Sequence, residues 1–399
     1  MSEWKECRLT EVCDTISETY KDSAKKVVLI NTSDVLEGKI TNHKFVDNKN
    51  LAGQFKKKFQ KNDILYSEIR PANKRYAFVD IDPRDYIAST KLMVLRSKSF
   101  ILPKYLYYLL TNKNTIRELH AIAVGRSGTF PQITYSELSN IKFKLPPIEI
   151  QEIILSFLLN LDDKISVNKK ICENLEAQAQ ALFKHWFIDF APFKDGKFVE
   201  SELGMIPEGW RVSTIGKVCK CELGGTPSRA NKSYWGGNIA WINSGAVNSF
   251  RICQASEFIT DEGLNRSATK LLPAKTTVLA ITGATLGQVS LLEIDSCANQ
   301  SVVGIKENEK MPYTFIYPLI KSKIKELMLM QTGGAQQHIN KDNIQSLKIV
   351  LSPDHIMSDY NSITQEMYAQ IGKLCFENLR LSTLRDTLLP KLMSGAIKV

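Results

Sequence analysis

Several short segments of the sequence combine basic, amide and hydroxyl side chains with glycine or proline, and such a combination can bind a nucleic acid. Arginine together with asparagine or glutamine matches the hydrogen-bonding edges of guanine and adenine in a major groove. Serine, threonine and backbone amides suit phosphate oxygens. Each segment could also be an ordinary surface turn. The candidate contact residues are Arg70, Asn73, Lys74, Arg75, Tyr76, Arg126, Ser127, Thr129, Thr226, Ser228, Arg229, Asn231, Lys232, Tyr234, Gln336, Gln337 and His338.

The familiar catalytic motifs are missing from the sequence. Gly38-Lys39 and Gly216-Lys217 are not followed by the serine or threonine that a phosphate-binding loop requires, and no Gly-x-Gly occurs. The five histidines are far apart and show no metal-binding spacing with cysteine. We therefore expect a non-catalytic chain with no metal site. The enzyme alternative is a lone methyltransferase or nuclease whose site is assembled from distant residues.

The excess of positive charge is concentrated in two blocks. Residues 1–150 hold 25 Lys/Arg against 17 Asp/Glu, and residues 201–350 hold 16 against 12. Residues 151–200 hold 6 against 8, and residues 351–399 hold 5 of each sign. Two basic modules on a neutral frame favour a polyanion bound at two places, although the same charge could serve solubility alone.

The sequence is an internal repeat. A shift of about 206 residues brings Trp4 onto Trp210 and Cys13 onto Cys219. The register slips by a few residues inside the basic blocks and recovers at their ends. This pattern predicts a duplicated module of about 200 residues with similar edges and divergent interiors, rather than a solenoid of short repeats.

The elements that must position the candidate residues follow from the local patterns. Short β-branched and aromatic runs, bounded by Gly, Pro, Asn and Asp, predict strands inside each block, and residues 102–119 and 311–330 predict helices. The fold class is α+β, with two similar α/β domains that are each followed by a long helix. Trp4, Trp210 and Trp241 are expected in the cores. The predicted divisions are 1–146 and 210–352 for the two domains, 147–190 and 353–399 for the helices, and 191–209 for a linker.

Each block is followed by apolar residues spaced alternately by four and three, which is typical of a coiled coil. The first seam is clear and the second is weaker. Pro390 should end or kink the second helix. The seam residues are Ile154, Leu158, Leu161, Ile165, Asn168, Leu175 and Leu182 in the first helix, and Ile371, Leu374, Asn378, Leu381 and Leu388 in the second.

The polar residues of the two seams indicate the orientation of the helices. Asn168 is the fifth of ten seam positions and Asn378 is the sixth of its own ten. In a parallel pair each amide would face an apolar side chain, whereas in an antiparallel pair the two could form a hydrogen bond. A buried polar group without a partner costs about 1–3 kcal/mol. We therefore predict an antiparallel coiled coil with Asn168 in contact with Asn378.

The sequence also favours one cellular compartment. The eight cysteines are scattered, which fits reduced thiols better than a disulfide framework. The N-terminal residues contain acids and no apolar h-region, and no uncharged run reads as a membrane span. We expect a cytoplasmic protein that does not associate with a membrane.

The whole layout resembles the specificity (S) subunit of type I restriction-modification systems. The resemblance covers essentially the full chain and rests on three segments in particular. These are Leu203-Gly204-Met205-Ile206-Pro207-Glu208-Gly209-Trp210, Leu175-Glu176-Ala177-Gln178-Ala179-Gln180-Ala181-Leu182-Phe183-Lys184 and Leu384-Arg385-Asp386-Thr387-Leu388-Leu389-Pro390-Lys391-Leu392-Met393-Ser394-Gly395.

This resemblance implies a double-stranded DNA-binding subunit with two target recognition domains, each of which reads one half of a split, asymmetric site. It implies two methyltransferase (M) subunits as partners, joined by motor-nuclease (R) subunits in the full complex. S-adenosylmethionine, ATP and Mg would then be used by those partners, and this chain would bind no cofactor. Two alternatives outside this family are a non-catalytic coiled-coil adaptor and a tandem RNA-binding protein that prefers single strands.

Overall fold

The computed structural model describes residues 4–49, 51–126, 130–330 and 338–397. The chain forms two compact units. The first contains Met1–Lys164 and Leu381–Val399, and the second contains Ile165–Arg380. Both units mix helices and strands, so the expected α+β class is confirmed.

The strands of the first unit form two four-stranded sheets and two small ladders. They are β1 (Lys5–Arg8), β2 (Cys13–Ile16), β3 (Lys26–Ile30), β4 (Val35–Leu36), β5 (Lys39–Ile40), β6 (Phe45–Asp47), β7 (Phe55–Lys57), β8 (Ile64–Ser67), β9 (Tyr76–Phe78), β10 (Tyr86–Ser89), β11 (Leu92–Ser97) and β12 (Lys142–Leu145). One sheet has the order β2-β11-β8-β9 and the other β6-β3-β10-β7, with β3 and β10 parallel. In addition, β1 pairs with β12 and β4 pairs with β5.

Besides parts of two long helices, the described residues of the first unit form α1 (Leu9–Val12), α2 (Pro103–Thr111), α3 (Lys113–Arg126) and α4 (Tyr135–Ser139). The single helix predicted over 102–119 is therefore wrong in one respect, because the chain breaks at Asn112. The Asn112 Oδ1 atom accepts hydrogen bonds from the amides of Asn114 and Thr115, each at 3.0 Å. Such a side-chain cap favours the start of a new helix over continuation of the old one.

The second unit repeats this plan. Its elements begin with α5 (Ile148–Phe187), which starts in the first unit, and continue with β13 (Phe198–Ser201), β14 (Gly204–Pro207), β15 (Arg211–Thr214), α6 (Ile215–Val218), β16 (Lys220–Leu223), β17 (Trp235–Ile242), β18 (Glu257–Ile259), α7 (Asp261–Asn265), β19 (Thr277–Ala280), β20 (Val289–Leu291), β21 (Cys297–Ala298), β22 (Val302–Lys306), α8 (Tyr313–Leu329), α9 (Lys341–Gln345), β23 (Lys348–Leu351) and α10 (Asp354–Met393). One sheet has the order β16-β22-β19-β20, and the other has β18-β17-β21 with β17 and β21 parallel.

One sheet and one ladder of the first unit correspond strand for strand to those of the second. The order β16-β22-β19-β20 matches β2-β11-β8-β9, and the β15–β23 ladder matches β1–β12. Residues 5 and 211 begin the first strand of each ladder, and residues 148 and 354 begin the two long helices. Both pairs are 206 residues apart. The duplication predicted from the sequence is confirmed in the fold.

One core cluster of each unit lies between a sheet and helices, including parts of the long helices. In the first unit, Ile154 and Leu158 of α5 and Leu392 of α10 are buried in the same cluster as Leu9. In the second unit, Phe183 and Phe187 of α5 join Trp210 in one cluster. Trp210 and Trp241 are buried as expected, whereas Trp4 is half-buried.

Two local expectations differ from the structure. The residues expected as a linker, 191–209, contain the β13–β14 hairpin, and Ile206 of that hairpin is buried in the core of the second unit. Pro390 does not end α10, which continues to Met393 and buries Leu392. A proline this close to the end of a helix removes only one backbone hydrogen bond, and the packing of the last turn offsets that loss.

Candidate nucleic-acid interface

The described candidate residues of the first unit lie in or beside one strained turn. Pro71–Asn73 forms a 3₁₀ turn between Arg70 and Lys74, whose φ angles are 45° and 51°. Non-glycine residues adopt this left-handed conformation at an energetic cost, and such strain is concentrated at functional sites. The side chains of Arg70 and Asn73 are exposed, and neither has a hydrogen bond or ion pair with another described residue.

Neighbouring segments hold this turn in place. The Arg70 amide donates to the Pro131 carbonyl at 3.0 Å, and the Lys74 carbonyl accepts from the Glu37 amide at 3.0 Å. The Lys74 Nζ atom also lies 2.9 Å from Glu37 Oε1. The Arg75 guanidinium donates to the Ser33 carbonyl at 2.9 Å, so this arginine fastens the turn to the β3–β4 connection. Arg75 is therefore less free to reach a ligand than Arg70.

Tyr76 is a correction to the candidate set. Its side chain is only 6% exposed and stacks on Tyr66 with ring centroids 5.7 Å apart. It stands in β9, where the ring packs against Tyr107 as well. Burial raises the pKa of this hydroxyl. A ring enclosed in this way is part of the core and has no surface to offer to a nucleic acid.

Arg126 stands at the end of α3, and this helix packs against the Pro71–Asn73 turn. Its guanidinium forms an ion pair with Glu137 of α4. The Thr134 hydroxyl and amide also donate hydrogen bonds to Glu137, and together with Arg126 they lower the pKa of this carboxyl. Four further candidates, Ser127, Thr129, Gln336 and Gln337, lie outside the residues that the structure describes.

Six candidates of the second unit, from Thr226 to Tyr234, lie in a folded connection between β16 and β17. Asn231 Oδ1 accepts hydrogen bonds from the Ser233 amide and hydroxyl, which shapes a short 3₁₀ turn over Lys232–Tyr234. The Thr226 hydroxyl donates to Gln300 Oε1 at 2.5 Å. Ser228 is exposed, and Lys232 is exposed without a side-chain partner among the described residues.

Arg229 is the most constrained candidate in this connection. Its Cζ atom lies 3.6 Å from the centroid of the Trp235 ring. Its Nη1 and Nη2 atoms lie 2.6 Å and 2.7 Å from the two carboxylate oxygens of Glu257. The hydrogen bonds from Arg229 lower the pKa of Glu257. Sequence reasoning missed Glu257, because it is 28 residues away and only the pairing of β17 with β18 brings it close.

Two candidates are integrated into neighbouring backbone. Tyr234 is half-buried, and its carbonyl accepts from the Thr260 amide at 3.0 Å. His338 is half-buried and forms an antiparallel bridge with Thr282. His338 thus lies beside the chain that follows β19, in the sheet β16-β22-β19-β20.

The predicted seam residues are mostly turned inward. Ile154, Leu158, Ile165, Asn168, Ile371 and Leu374 are buried, whereas Leu161, Leu175, Leu182, Asn378, Leu381 and Leu388 are half-buried. Within the second unit, Asn168 Nδ2 donates to Asn378 Oδ1 at 3.0 Å and to Glu377 Oε2 at 2.9 Å. The predicted contact between the two asparagines is confirmed.

A buried charge cluster in the second unit was not foreseen from the sequence. The Arg251 side chain is fully buried and its Nη2 atom lies 2.6 Å from Glu176 Oε2 on α5. Lys321 Nζ lies 3.0 Å from Glu176 Oε1, and the Tyr317 hydroxyl is 3.1 Å from Arg251 Nη1. Burial alone would raise the pKa of Glu176, but the two cations outweigh it and hold that pKa low. No spacing in the sequence signals this cluster, because its members come from three distant segments.

The described residues bear on two alternatives, a metal site and a membrane-spanning helix. Among them, no group of three or more histidine, cysteine or acidic side chains is arranged to hold a metal ion. No helix in the described part of the chain is long and apolar enough to cross a membrane.

Comparison with known proteins decides what these two similar units belong to. The family of the type I restriction modification DNA specificity domain matches residues 1–177 and 207–370. The chain belongs to this family. Both repeats are matched, and the members of the family are non-catalytic subunits that recognise a DNA sequence. The resemblance stated from the sequence is confirmed.

Individual relatives agree with the family assignment. The type I restriction enzyme HindI specificity subunit of Haemophilus influenzae is 32% identical, with 100% of both chains covered. The MjaIX specificity subunit of Methanocaldococcus jannaschii is 30% identical over 79% of this chain and 76% of its own. The crystal structure of an S subunit from M. genitalium shares the fold with a TM-score of 0.51 and 16% identity, covering 98% of this chain and 96% of that one.

Proposed function

We propose that this chain gives a type I restriction-modification complex its sequence specificity by reading a bipartite, asymmetric DNA site. The domain formed by residues 1–146 would read one half of the site and the domain formed by residues 210–352 would read the other. The observation that carries this proposal is the duplicated sheet plan, because two equivalent scaffolds with different surface loops can read two different sequences. The strained turn at Arg70–Lys74 and the loop at Thr226–Tyr234 supply suitable side chains.

The long helices, expected over 147–190 and 353–399, would pack as an antiparallel coiled coil that sets the gap between the half-sites. Within the second unit Cys172 Sγ lies 3.9 Å from the Ile371 carbonyl and Asn168 contacts Asn378. As residue numbers increase along α5, the residue numbers of the contacted positions on α10 decrease, which supports the antiparallel direction. A single polar residue in an apolar seam commonly fixes the register of such a pair.

The partners in this proposal are double-stranded DNA, two methyltransferase (M) subunits and, in the complete complex, motor-nuclease (R) subunits. S-adenosylmethionine, ATP and Mg would be bound by those subunits rather than by this chain. Because the substrate would be chromosomal and incoming DNA, we place the complex in the cytoplasm. A structural adaptor or a tandem RNA-binding protein would not require two equivalent sheet scaffolds that present different surface loops.

The test is a genome-wide map of N6-methyladenine in the host with and without this gene. We expect one bipartite motif to disappear when the gene is deleted and to return when it is restored. A pull-down with this chain should first show that the cells express an active methyltransferase partner. If the methylation map is then unchanged by deletion of the gene, the proposal is contradicted.

A further inference from the structure

An irregular strand builds a rigid aromatic platform in the second unit. The pairing of β17 with β18 shifts its register between Trp235 and Ile239, so that both residues pair with Ile259. The bulge contains Gly236, whose φ is +83°, and Gly237, where an added Cβ would lie 2.5 Å from the Ile259 carbonyl oxygen. Bulges of this kind redirect a side chain out of the regular pleat.

The redirected side chain is Trp235, which rests edge-on against Trp241 with ring centroids 5.2 Å apart. Trp241 is only 3% exposed, and its Nε1 atom donates to the Gly225 carbonyl at 3.1 Å. Trp235 Nε1 donates to the Ser228 carbonyl at 3.3 Å, in the same connection as Arg229. The platform therefore fixes both the ring and the backbone segment that carries the arginine.

The guanidinium of Arg229 is held on this platform in one orientation. Its Cζ atom lies over the Trp235 ring, and its two Nη atoms face the carboxylate of Glu257. The side chain of Arg229 is nevertheless 54% exposed. Its Nε–H group has no partner among the described residues, so one edge of the guanidinium, formed by Nε and an Nη, still offers parallel donors.

We propose that Arg229 reads a guanine in the half-site bound by the second unit, with Glu257 and Trp235 as positioning residues. This inference rests on the proposed function. Guanine presents two acceptors, N7 and O6, to the major groove, and these match two parallel donors of an arginine. Adenine places a donor where O6 would be and therefore cannot accept both hydrogen bonds.

A phosphate is the competing ligand for an exposed arginine, and the surroundings of Arg229 disfavour it. The Arg229–Glu257 pair carries no net charge, so its attraction for a phosphate backbone is weak. A phosphate can also accept two parallel hydrogen bonds from a guanidinium, so the neutral charge of the pair, and not the fixed plane, is what disfavours it here. An arginine that is already immobilised loses less conformational freedom when it binds, which favours a directional contact.

The first experiment compares methylation motifs. The full chain, expressed with its methyltransferase partner, is mapped as wild type, Arg229→Ala, Arg229→Lys and Glu257→Gln. We expect Arg229→Ala and Arg229→Lys to relax one guanine position in one half-site and to leave the other half-site unchanged. Glu257→Gln should weaken discrimination at the same position. The matched control is Arg266→Ala, which removes an exposed pair with Glu262 in the same unit and should leave the motif intact.

The second experiment isolates the hydrogen bond itself. DNA carrying 7-deazaguanine at the identified position lacks the N7 acceptor, and its binding to the purified S–methyltransferase complex is compared with that of unmodified DNA. We expect a loss of about 5-fold or more for the wild type, within the range given by a bidentate pair. The same replacement should change binding by less than about 2-fold for Arg229→Ala.

The outcomes separate this inference from the proposed function. If Arg229→Ala preserves every position of the motif, or weakens all sequences equally, the guanine contact is wrong while the bipartite site stands. If the wild-type complex itself yields no motif that depends on this gene, the proposed function fails first. Arg229→Lys keeps a positive charge on an exposed side chain and thus guards against a variant that merely misfolds.

Discussion

The two halves of the molecule share their edge elements and differ in the segments between those edges. The edge elements keep the same spacing: α4 and α9 begin at residues 135 and 341, and β12 and β23 begin at 142 and 348. Inside the domains the spacing changes, since β8 and β19 begin at residues 64 and 277. Insertions are tolerated where they lengthen surface loops, whereas the edges must maintain the ladders and the helix caps. The difference shows where sequence specificity can vary without loss of the fold.

The halves also differ in how each sheet-and-helix body contacts the long helices. In the first unit, Asp162 of α5 accepts a hydrogen bond from Tyr108 and pairs with Arg385 at 2.6 Å, and both ionic side chains are about one-third exposed. In the second unit, Arg251 of the sheet-and-helix body pairs with Glu176 of α5 in near-complete burial beside Tyr317. The ion pair on α5 is thus partly exposed to solvent in the first half and buried in the second.

Arg251 also lies near a second buried carboxylate, since its Nε atom is 3.7 Å from Glu293 Oε1. Arg251→Ala should give the largest effect, because it leaves Glu176 and Glu293 buried with less compensation of their charge. Breaking a buried pair costs about 3–5 kcal/mol of unfolding free energy. Urea unfolding followed by tryptophan fluorescence measures it, since Trp186, Trp210, Trp235 and Trp241 all belong to the second unit.

Two controls sharpen this prediction. Lys310→Ala removes a pair with Asp354 in which both side chains are 74% exposed, and we expect almost no change. Arg385→Ala in the first unit should cost about 1 kcal/mol, because its partners are partly hydrated. Equal losses for Arg251→Ala and Arg385→Ala would contradict the distinction between the two halves.

Asn168→Ala should cost about 1–3 kcal/mol, because Asn378 and Glu377 lose a hydrogen-bond donor within the helix pair. The double variant Asn168→Leu with Asn378→Leu should recover most of that loss, since it replaces both amides by apolar side chains. A double-mutant cycle by urea unfolding gives the coupling energy. Additive losses would show that the contact between the two asparagines does not stabilise the pair.

Arg70→Ala tests the first half in the way that Arg229 tests the second. Because the Arg70 side chain is exposed and has no partner in the described part of the chain, we expect its removal to weaken binding to all sequences by about 1 kcal/mol. The slope of log affinity against log salt should fall by about 0.9 if one phosphate contact is lost. Loss of a single base preference with an unchanged slope would instead make Arg70 a base-reading residue.

Acidification should destabilise both halves. The pKa values of Glu176 in the second unit and Asp386 in the first are lowered in the folded state, where burial is outweighed by Arg251 and Lys321 in one case and by Arg385 and Lys113 in the other. Carboxyls with a depressed folded pKa stabilise the protein above their unfolded values, which are ordinarily 4.5 and 3.8. That stabilisation is lost as the pH falls through the lower folded values. Urea unfolding across this pH range measures the decline, and a rise in stability toward acid would contradict the sign.

The sequence was sufficient to predict the long helices and the duplicated elements, because both repeat at a fixed spacing along the chain. The seam spacing located both long helices and the Asn168–Asn378 contact, and the repeat located the equivalent edge elements, such as β1 with β15 and α4 with α9. The sequence was insufficient where tertiary contacts determine whether a side chain is buried or exposed. Tyr76 follows three polar residues and reads as part of a surface turn, yet its ring is enclosed by Tyr66 and Tyr107.

The candidate site shows the same limit. Arg229 could be chosen from its neighbours in the chain, but Glu257 could not, because a strand pairing brings it there. The break at Asn112 depends on side-chain caps that compete with helix continuation. On α5, the buried face shifts from Leu182 to Phe183 and Phe187 where the helix meets the core of the second unit. Local patterns do not contain this information.

The most direct test of two equivalent reading modules is a chimera that keeps the shared edges and replaces residues 223–340 with residues 17–134. Both domains would then carry the first interior. The N6-methyladenine map of cells that express this chimera with the methyltransferase partner should show a site made of two copies of one half-site. A map that retains the original second half-site, from a chimera that is folded and assembled, would contradict the account.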